Sequence, residues 1–317
     1  VSLNYKNDKF SVFSSASWNQ RDLFREGESS RTLTVDSVSL LDQTRDGDQL
    51  RTSVNGRIGM EWYPSKSEVF SANINVNQSD NKRNNGLTNE EVWSTGTEFN
   101  SLRSSEELDA SKGFDADLGY RKEYNQNPSH FLRLRARYSG SASSSDEFIQ
   151  EESILETDGV AIATVRDTNL QENRSMRTVL QLDFEKPLEN EGKLEWGLKS
   201  NLSRKDDKFD YLYSDSSFWS QGIYIPTNPI ARSFDFEYRE DVHAAYATYG
   251  RKWGTWGTQA GLRLEQVFTG ARWENDQTFE NNYFSVYPSI NVSRQSNDEA
   301  SWIASYSRRV NRPRGRS

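Results

Sequence analysis

Polar and apolar residues alternate along much of the chain with a period of two. Residues 130–140 read HFLRLRARYSG. Leu132, Leu134, Ala136 and Tyr138 share one parity, while Arg133, Arg135 and Arg137 share the other. Successive side chains of a β-strand point to opposite faces, so this stretch predicts a strand that is apolar on one side and cationic on the other. Phe10 to Trp18, Leu50 to Trp62, Phe70 to Val76, Phe114 to Tyr120, Met176 to Phe184 and Leu194 to Leu202 repeat the alternation. It continues through Val242, Ala244 and Tyr246, then Trp256 to Phe268, Phe284 to Val292 and Trp302 to Tyr306. With Val1, Leu3 and Tyr5 at the start, the series amounts to about twelve strands. Most run about seven to eleven residues, the length that carries a tilted strand across a bilayer.

The connections alternate in length. Short ones, rich in Asn, Asp, Pro, Gly and Ser, fall at residues 7–9, 63–67, 125–128, 186–192, 251–255 and 295–300. Such residues favour tight turns. Long polar stretches separate them, at 77–112, 141–175 and 203–241, and are expected as loops. A compact soluble domain rarely repeats structureless loops of that length. A soluble β-sandwich also alternates, but aromatics gather beside the short turns, at Trp62-Tyr63, Phe184, Trp253 with Trp256 and Tyr287-Pro288. That placement suits the aromatic girdle of an outer-membrane barrel. The predicted fold is an all-β, transmembrane antiparallel β-barrel. Short periplasmic turns alternate with long extracellular loops, and residues 1–317 form part of one barrel domain.

Composition sharpens this reading. With 9 Trp, 14 Tyr and 16 Phe the chain is too aromatic for disorder. A formal charge of −8 argues against a nucleic-acid partner. The absence of cysteine excludes disulfides, thiolate metal sites and a cysteine nucleophile. Mean hydropathy is −0.90. A barrel accommodates this, because only half of each strand need be apolar and the lumen and loops are polar. The polar face carries both signs. Asp115, Asp117 and Glu123 are expected to pair across the short turn with Arg133, Arg135 and Arg137, and Glu195 with Lys199 and Arg263 with Glu265 belong to the same face.

The segment SYSRRVNRP, Ser305 to Pro313, resembles a segment of the TonB-dependent-receptor-like outer membrane β-barrel family of Bacteroidota, in which a strand of the form YSRR-x-NRP runs into a loop. YPSINVSRQ, Tyr287 to Gln295, is similar to the strand before it. The resemblance implies a large barrel with an N-terminal plug. It also implies import across the outer membrane driven by TonB-ExbB-ExbD. The chain starts at Val1 rather than Met, shows no plug before it, and ends in RPRGRS rather than an aromatic-terminated strand, so it is expected to be the front half of a barrel.

Expected partners are outer membrane lipid and lipopolysaccharide, TonB-ExbB-ExbD, and a nutrient such as an oligosaccharide, peptide or siderophore; no cofactor or metal is expected. Ligand contacts are expected from the lumen arginines Arg133, Arg135 and Arg137 and from the loop aromatics Trp93, Trp219 and Tyr224. Phe99, Phe148 and Phe218 are further loop aromatics, and burial under folded loops is the alternative explanation for all six. Asp206, Asp207, Asp210 and Asp215 offer oxygens to calcium but lack EF-hand spacing. The basic residues Arg308, Arg309, Arg312, Arg314 and Arg316 read better as a strand end and loop than as a nucleic-acid patch. A hydrolase would need His130, or His243 with Asp241, beside a serine. The preferred reading is a non-enzymatic transport barrel. An adhesive barrel and a soluble carbohydrate-binding β-domain are the alternatives.

Overall fold

The computed structural model describes residues 1–35, 37–96, 98–155, 160–189, 191–219, 223–226, 230–273, 277–295 and 301–310. They form antiparallel strands β1 (Ser2–Lys6), β2 (Phe10–Val35), β3 (Ser37–Ser65), β4 (Glu68–Trp93), β5 (Glu98–Tyr124), β6 (Asn127–Leu155), β7 (Val160–Leu188), β8 (Gly192–Trp219), β9 (Ile223–Pro226), β10 (Ile230–Trp253), β11 (Trp256–Trp273), β12 (Gln277–Gln295) and β13 (Ser301–Ser307). Each strand pairs with its sequence neighbour in one sheet, except that β9 caps the end of β8 and β8 pairs onward with β10. No helix long and apolar enough to cross a membrane occurs among the described residues, which does not bear on crossing by strands.

The strands are far longer than the alternating runs. β2 to β8 span 26 to 29 residues each. At about 3.3 Å per residue a 29-residue strand extends roughly 95 Å, several times the apolar band it crosses. Of the polar stretches 77–112 and 141–175, expected as loops, residues 77–93, 98–112, 141–155 and 160–175 are the continuing arms of the β4–β5 and β6–β7 hairpins, and 203–241 lies largely in β8 and β10. Chain composition explains the difference. Once a strand pair leaves the bilayer both faces meet water, so the period of two fades while the backbone ladder goes on.

Register turns the alternation into two continuous faces. One row of Cα partners runs Met60, Ala72, Leu118, Ala136 and Leu180 across five strands. These side chains find no protein cover: Ile58, Leu118, Leu180 and Leu198 are 51%, 58%, 48% and 52% exposed. Val242, Ala244 and Val267 are the buried hydrophobic residues among those described. A water-soluble sandwich would cover such a face. Here it is the lipid-facing wall of a transmembrane β-barrel, and the opposite face lines the interior.

An aromatic belt marks the edge of the apolar band nearest the short turns. Phe10, Trp62, Phe70 and Tyr120 stack in order, with centroids 6.4, 5.2 and 4.5 Å apart. His130 belongs to the same edge, 4.8 Å from Tyr124 and 5.8 Å from Phe184. Two expectations about sides are corrected. On β10 the residues that share the apolar face are Ala245, Ala247 and Tyr249, opposite Leu198, Trp196 and Leu194. Val242, Ala244 and Tyr246 therefore face the interior. Tyr287 lies opposite Arg263 on the interior face, so only its neighbour Pro288, opposite Leu262, stands on the lipid side.

Candidate functional site

The interior face of the membrane-crossing rows is a field of charges and hydrogen-bonding groups, built by the register of β5 to β11. A two-residue turn at Asn125 and Gln126, both with φ near +54°, closes β5 on β6. The irregularity at Glu123 and Tyr124 then sets Asp117 opposite Arg137, Gly119 opposite Arg135 and Arg121 opposite Arg133. Asp117 accepts from both Arg135, at 3.0 Å, and Arg137, at 2.9 Å. Those two arginines pair with acid as expected.

Arg133 does not. It faces Arg121, and Arg121 takes Glu123 at 3.0 Å. Both guanidinium groups lie over the Phe131 ring, 4.4 Å from its centroid for Arg121 and 5.0 Å for Arg133. The expected three-against-three pairing fails because the turn brings Phe131, not an arginine, opposite Glu123. Among the described residues Arg133 has no carboxylate within ion-pair distance. Nor does Lys199, because Lys193 takes Glu195, together with Glu185 at 3.0 Å.

Two strands away, Tyr246 lies across Gly197 and donates to Asp183, which also accepts from Gln181 at 3.0 Å. Arg263 pairs with the buried Glu265 at 2.6 Å and stands 5.6 Å from the Tyr246 ring. The polar wall therefore runs from β5 to β11, interrupted by the apolar Val179, Val242, Ala244 and Val267. Sequence reading missed its β10 part, since Tyr246 was assigned to the apolar face. Glu265, one strand over, was the clue, as its parity matches the acid-and-base face.

The other expected ligand contacts do not join the arginines. Trp93 is 43% exposed at the far end of β4. It lies 24 residues along the strand from Val69, which neighbours Arg121, or about 80 Å at strand rise. Backbone pairing sets Trp219 opposite Ile223 and Phe218 opposite Tyr224, and the side chains of all these lie outside the described residues. Phe148 is 43% exposed, so burial under folded loops does not account for it.

The acidic run 206–215 is strand, not loop. Asp206 and Asp210 share one face and Asp207 takes the other, where it pairs with Lys205 at 3.1 Å, so these oxygens do not converge. The side chain of Asp215 lies outside the described residues. No group of three metal-ligating side chains was found among the described residues. His243 meets Ser200 at 2.9 Å, but on the lipid side. Asp241 is held there by Arg204 at 2.6 Å and Arg239 at 2.6 Å. Arg308 and Arg309 follow β13, while Arg312, Arg314 and Arg316 lie outside the described residues.

The model of the outer membrane protein beta-barrel family matches residues 122–317. The chain belongs to that family. It is a protein of the bacterial outer membrane, with its apolar face in lipid and its charged face inward. Among solved structures this family member is similar to the outer membrane protease OmpT from Escherichia coli, at 10% identity over 92% of this chain and 97% of that chain with a TM-score of 0.24. It is also similar to the β domain of the Bordetella autotransporter BrkA, at 13% identity over 93% and 91% with a TM-score of 0.25. The translocator domain of the autotransporter NalP from Neisseria meningitidis gives 11% identity over 96% and 83% with a TM-score of 0.24. At those TM-scores none of them bears on what this chain does. No curated protein matches the chain.

Proposed function

We propose that this barrel wall belongs to a TonB-dependent-type receptor that imports a nutrient, an oligosaccharide, peptide or siderophore, without chemistry of its own. The observation that carries the reading is the interior face. It lines the membrane crossing with paired charges and, among the described residues, with two cations outside any ion pair: Lys199, and Arg133, whose cross-strand neighbour Asp183 accepts from Tyr246 and Gln181 instead. A wall that only held strands together would gain little from a wet, charged interior, since exposed ion pairs contribute at most about 1 kcal/mol each. Interior charges instead tune what passes. The resemblance of SYSRRVNRP to the TonB-dependent-receptor-like family supports the same conclusion. Lipopolysaccharide at the outer rim and TonB-ExbB-ExbD below are the partners that go with it.

Deletion of the parent gene tests this. Growth on one class among oligosaccharides, peptides and ferric siderophores should fail, and uptake of that class in the parent strain should stop when the proton-motive force is collapsed. Unimpaired growth on all three classes would overturn the reading. The adhesive alternative rests on one observation, the arms that rise far beyond the bilayer. It predicts loss of surface attachment with normal growth.

A further inference from the structure

Above the bilayer the interior face keeps its parity and changes its chemistry. Ser53, Ser79, Ser111 and Ser143 lie side by side on β3 to β6, followed in the same row by Asn173 and Asp207. Phe236 of β10 continues that row, with Trp273 of β11 beyond it, and sits at the centre of an aromatic ladder. The Phe234 and Phe236 rings stand 6.3 Å apart with planes 10° from parallel, and Phe236 and Tyr238 stand 6.4 Å apart at 15°. Phe209 on β8 lies opposite Phe234, and both are 39% exposed.

The groups beside the ladder are hydroxyls, amides and a matched charge pair, and Arg232 stands at its end, two residues beyond Phe234 on the same face. Tyr238 donates to Glu240 at 3.2 Å, and Lys205 pairs with Asp207 at 3.1 Å. Asp207 is 5% exposed, and its second carboxylate oxygen is buried with no hydrogen-bond partner. A buried acceptor without a donor is costly unless a partner arrives.

We propose that this strip is a binding site for a neutral oligosaccharide. A sugar ring has a flat C–H face that lies on an aromatic ring, and a rim of hydroxyls that both donate and accept. The ladder supplies several such rings in line. The serine and asparagine row supplies two-way hydrogen bonding, and Asp207 supplies an unmet acceptor beside the central ring. At the central ring no cation is left for an anionic siderophore, since Lys205 is matched by Asp207, and Arg232 stands at the end of the ladder rather than beside Phe236. The proposal rests on the import reading, which it narrows to one substrate class.

The test uses the full parent protein in detergent. Its probes are immobilised α-glucan, β-glucan, xylan, mannan and fructan hexamers, with a ferric catecholate and a tripeptide pool as comparators. One neutral glycan should bind. Phe236→Leu, which keeps bulk but loses the ring face, should weaken binding about tenfold, and Phe236→Tyr should retain it. Heat-modifiable gel mobility shows that each variant is folded. Binding of only the catecholate or the peptides overturns the proposal and leaves import standing. So does glycan binding that Phe234→Leu and Phe236→Leu both leave unchanged. Glycan binding that weakens in Phe236→Leu, without uptake that depends on the proton-motive force, supports the proposal while removing the import reading.

Discussion

Asp117 and Asp241 each accept from two arginines, and they differ in where they stand. Asp117 lies on the wet interior face with its side chain 21% exposed, while its partners Arg135 and Arg137 are 46% and 48% exposed. Asp241 lies on the lipid side with its side chain 5% exposed, held by Arg204 and Arg239 at the outer edge of the apolar band. Water and ions screen the first cluster, so Asp117→Asn should change the urea stability of the refolded protein by less than about 1 kcal/mol. Asp241→Asn removes a desolvated charge and leaves two arginines facing each other near lipid, and should cost about 2–3 kcal/mol. Equal losses in the two variants would refute the assignment of faces. Gly197 makes a related point. An added Cβ there would lie 2.5 Å from the Tyr246 ring and 2.6 Å from the Leu182 carbonyl oxygen. Gly197→Val should displace Tyr246 from Asp183 and cost about 1–3 kcal/mol, read as a lower unfolding midpoint.

Hairpin arms follow rules different from those of the crossing segments. Outside the bilayer Glu107 of β5 faces Glu147 of β6 and stands two residues from Asp109, with Arg83 as its ion-pair partner. Burial raises its carboxyl above the ordinary 4.5, the Asp109 charge adds to this, and Arg83 opposes both. The folded arm therefore holds a proton more tightly than the unfolded one. Its contribution is greatest at or below pH 4.5 and is lost as the pH rises through the elevated value. Hydrogen exchange of β5 and β6, corrected for intrinsic rates, should show protection falling over that rise, and Glu107→Gln should flatten the dependence. An unchanged profile in Glu107→Gln would remove the explanation.

These arms were also where the sequence was least legible. Leu132 to Tyr138 announce a strand because lipid and water enforce opposite demands on alternate residues. Residues 77–112 carry no such pressure, so charge and amide content read as loop although the ladder continues through them. The expected turns at residues 7–9, 63–67 and 125–128 could be placed because Asn, Pro and Ser mark a reversal locally. Pairing across them could not be read so finely. Arg133 meets Arg121 only because of an irregularity at Glu123, which no period of two reveals.

For the whole molecule, the decisive property is which face meets lipid. Ala72 and Ser71 are adjacent on β4, Ala72 between Met60 and Leu118, and Ser71 between Glu61 and Gly119. Refolded into lipid vesicles, Ala72→Arg should cost about 2–4 kcal/mol, whereas Ser71→Arg beside Glu61 should be nearly neutral. The reverse ranking would turn the barrel inside out. The faces were readable from the sequence on nearly every strand. They failed on β10, where Ala244, Ala245 and Ala247 are equally small and apolar on both sides, so that the neighbours' register alone decides between them.

The neighbour-only pairing of the sheet has an evolutionary consequence. Every strand, apart from the short β9, depends on the strands just before and after it in the chain. A whole hairpin can be duplicated or lost without disturbing any other pairing, while one residue added within a crossing segment reverses every side chain beyond it or must be absorbed as a bulge. Diameter is therefore the dimension that descendants of this chain can change in a single step. Residue parity is the dimension they must keep.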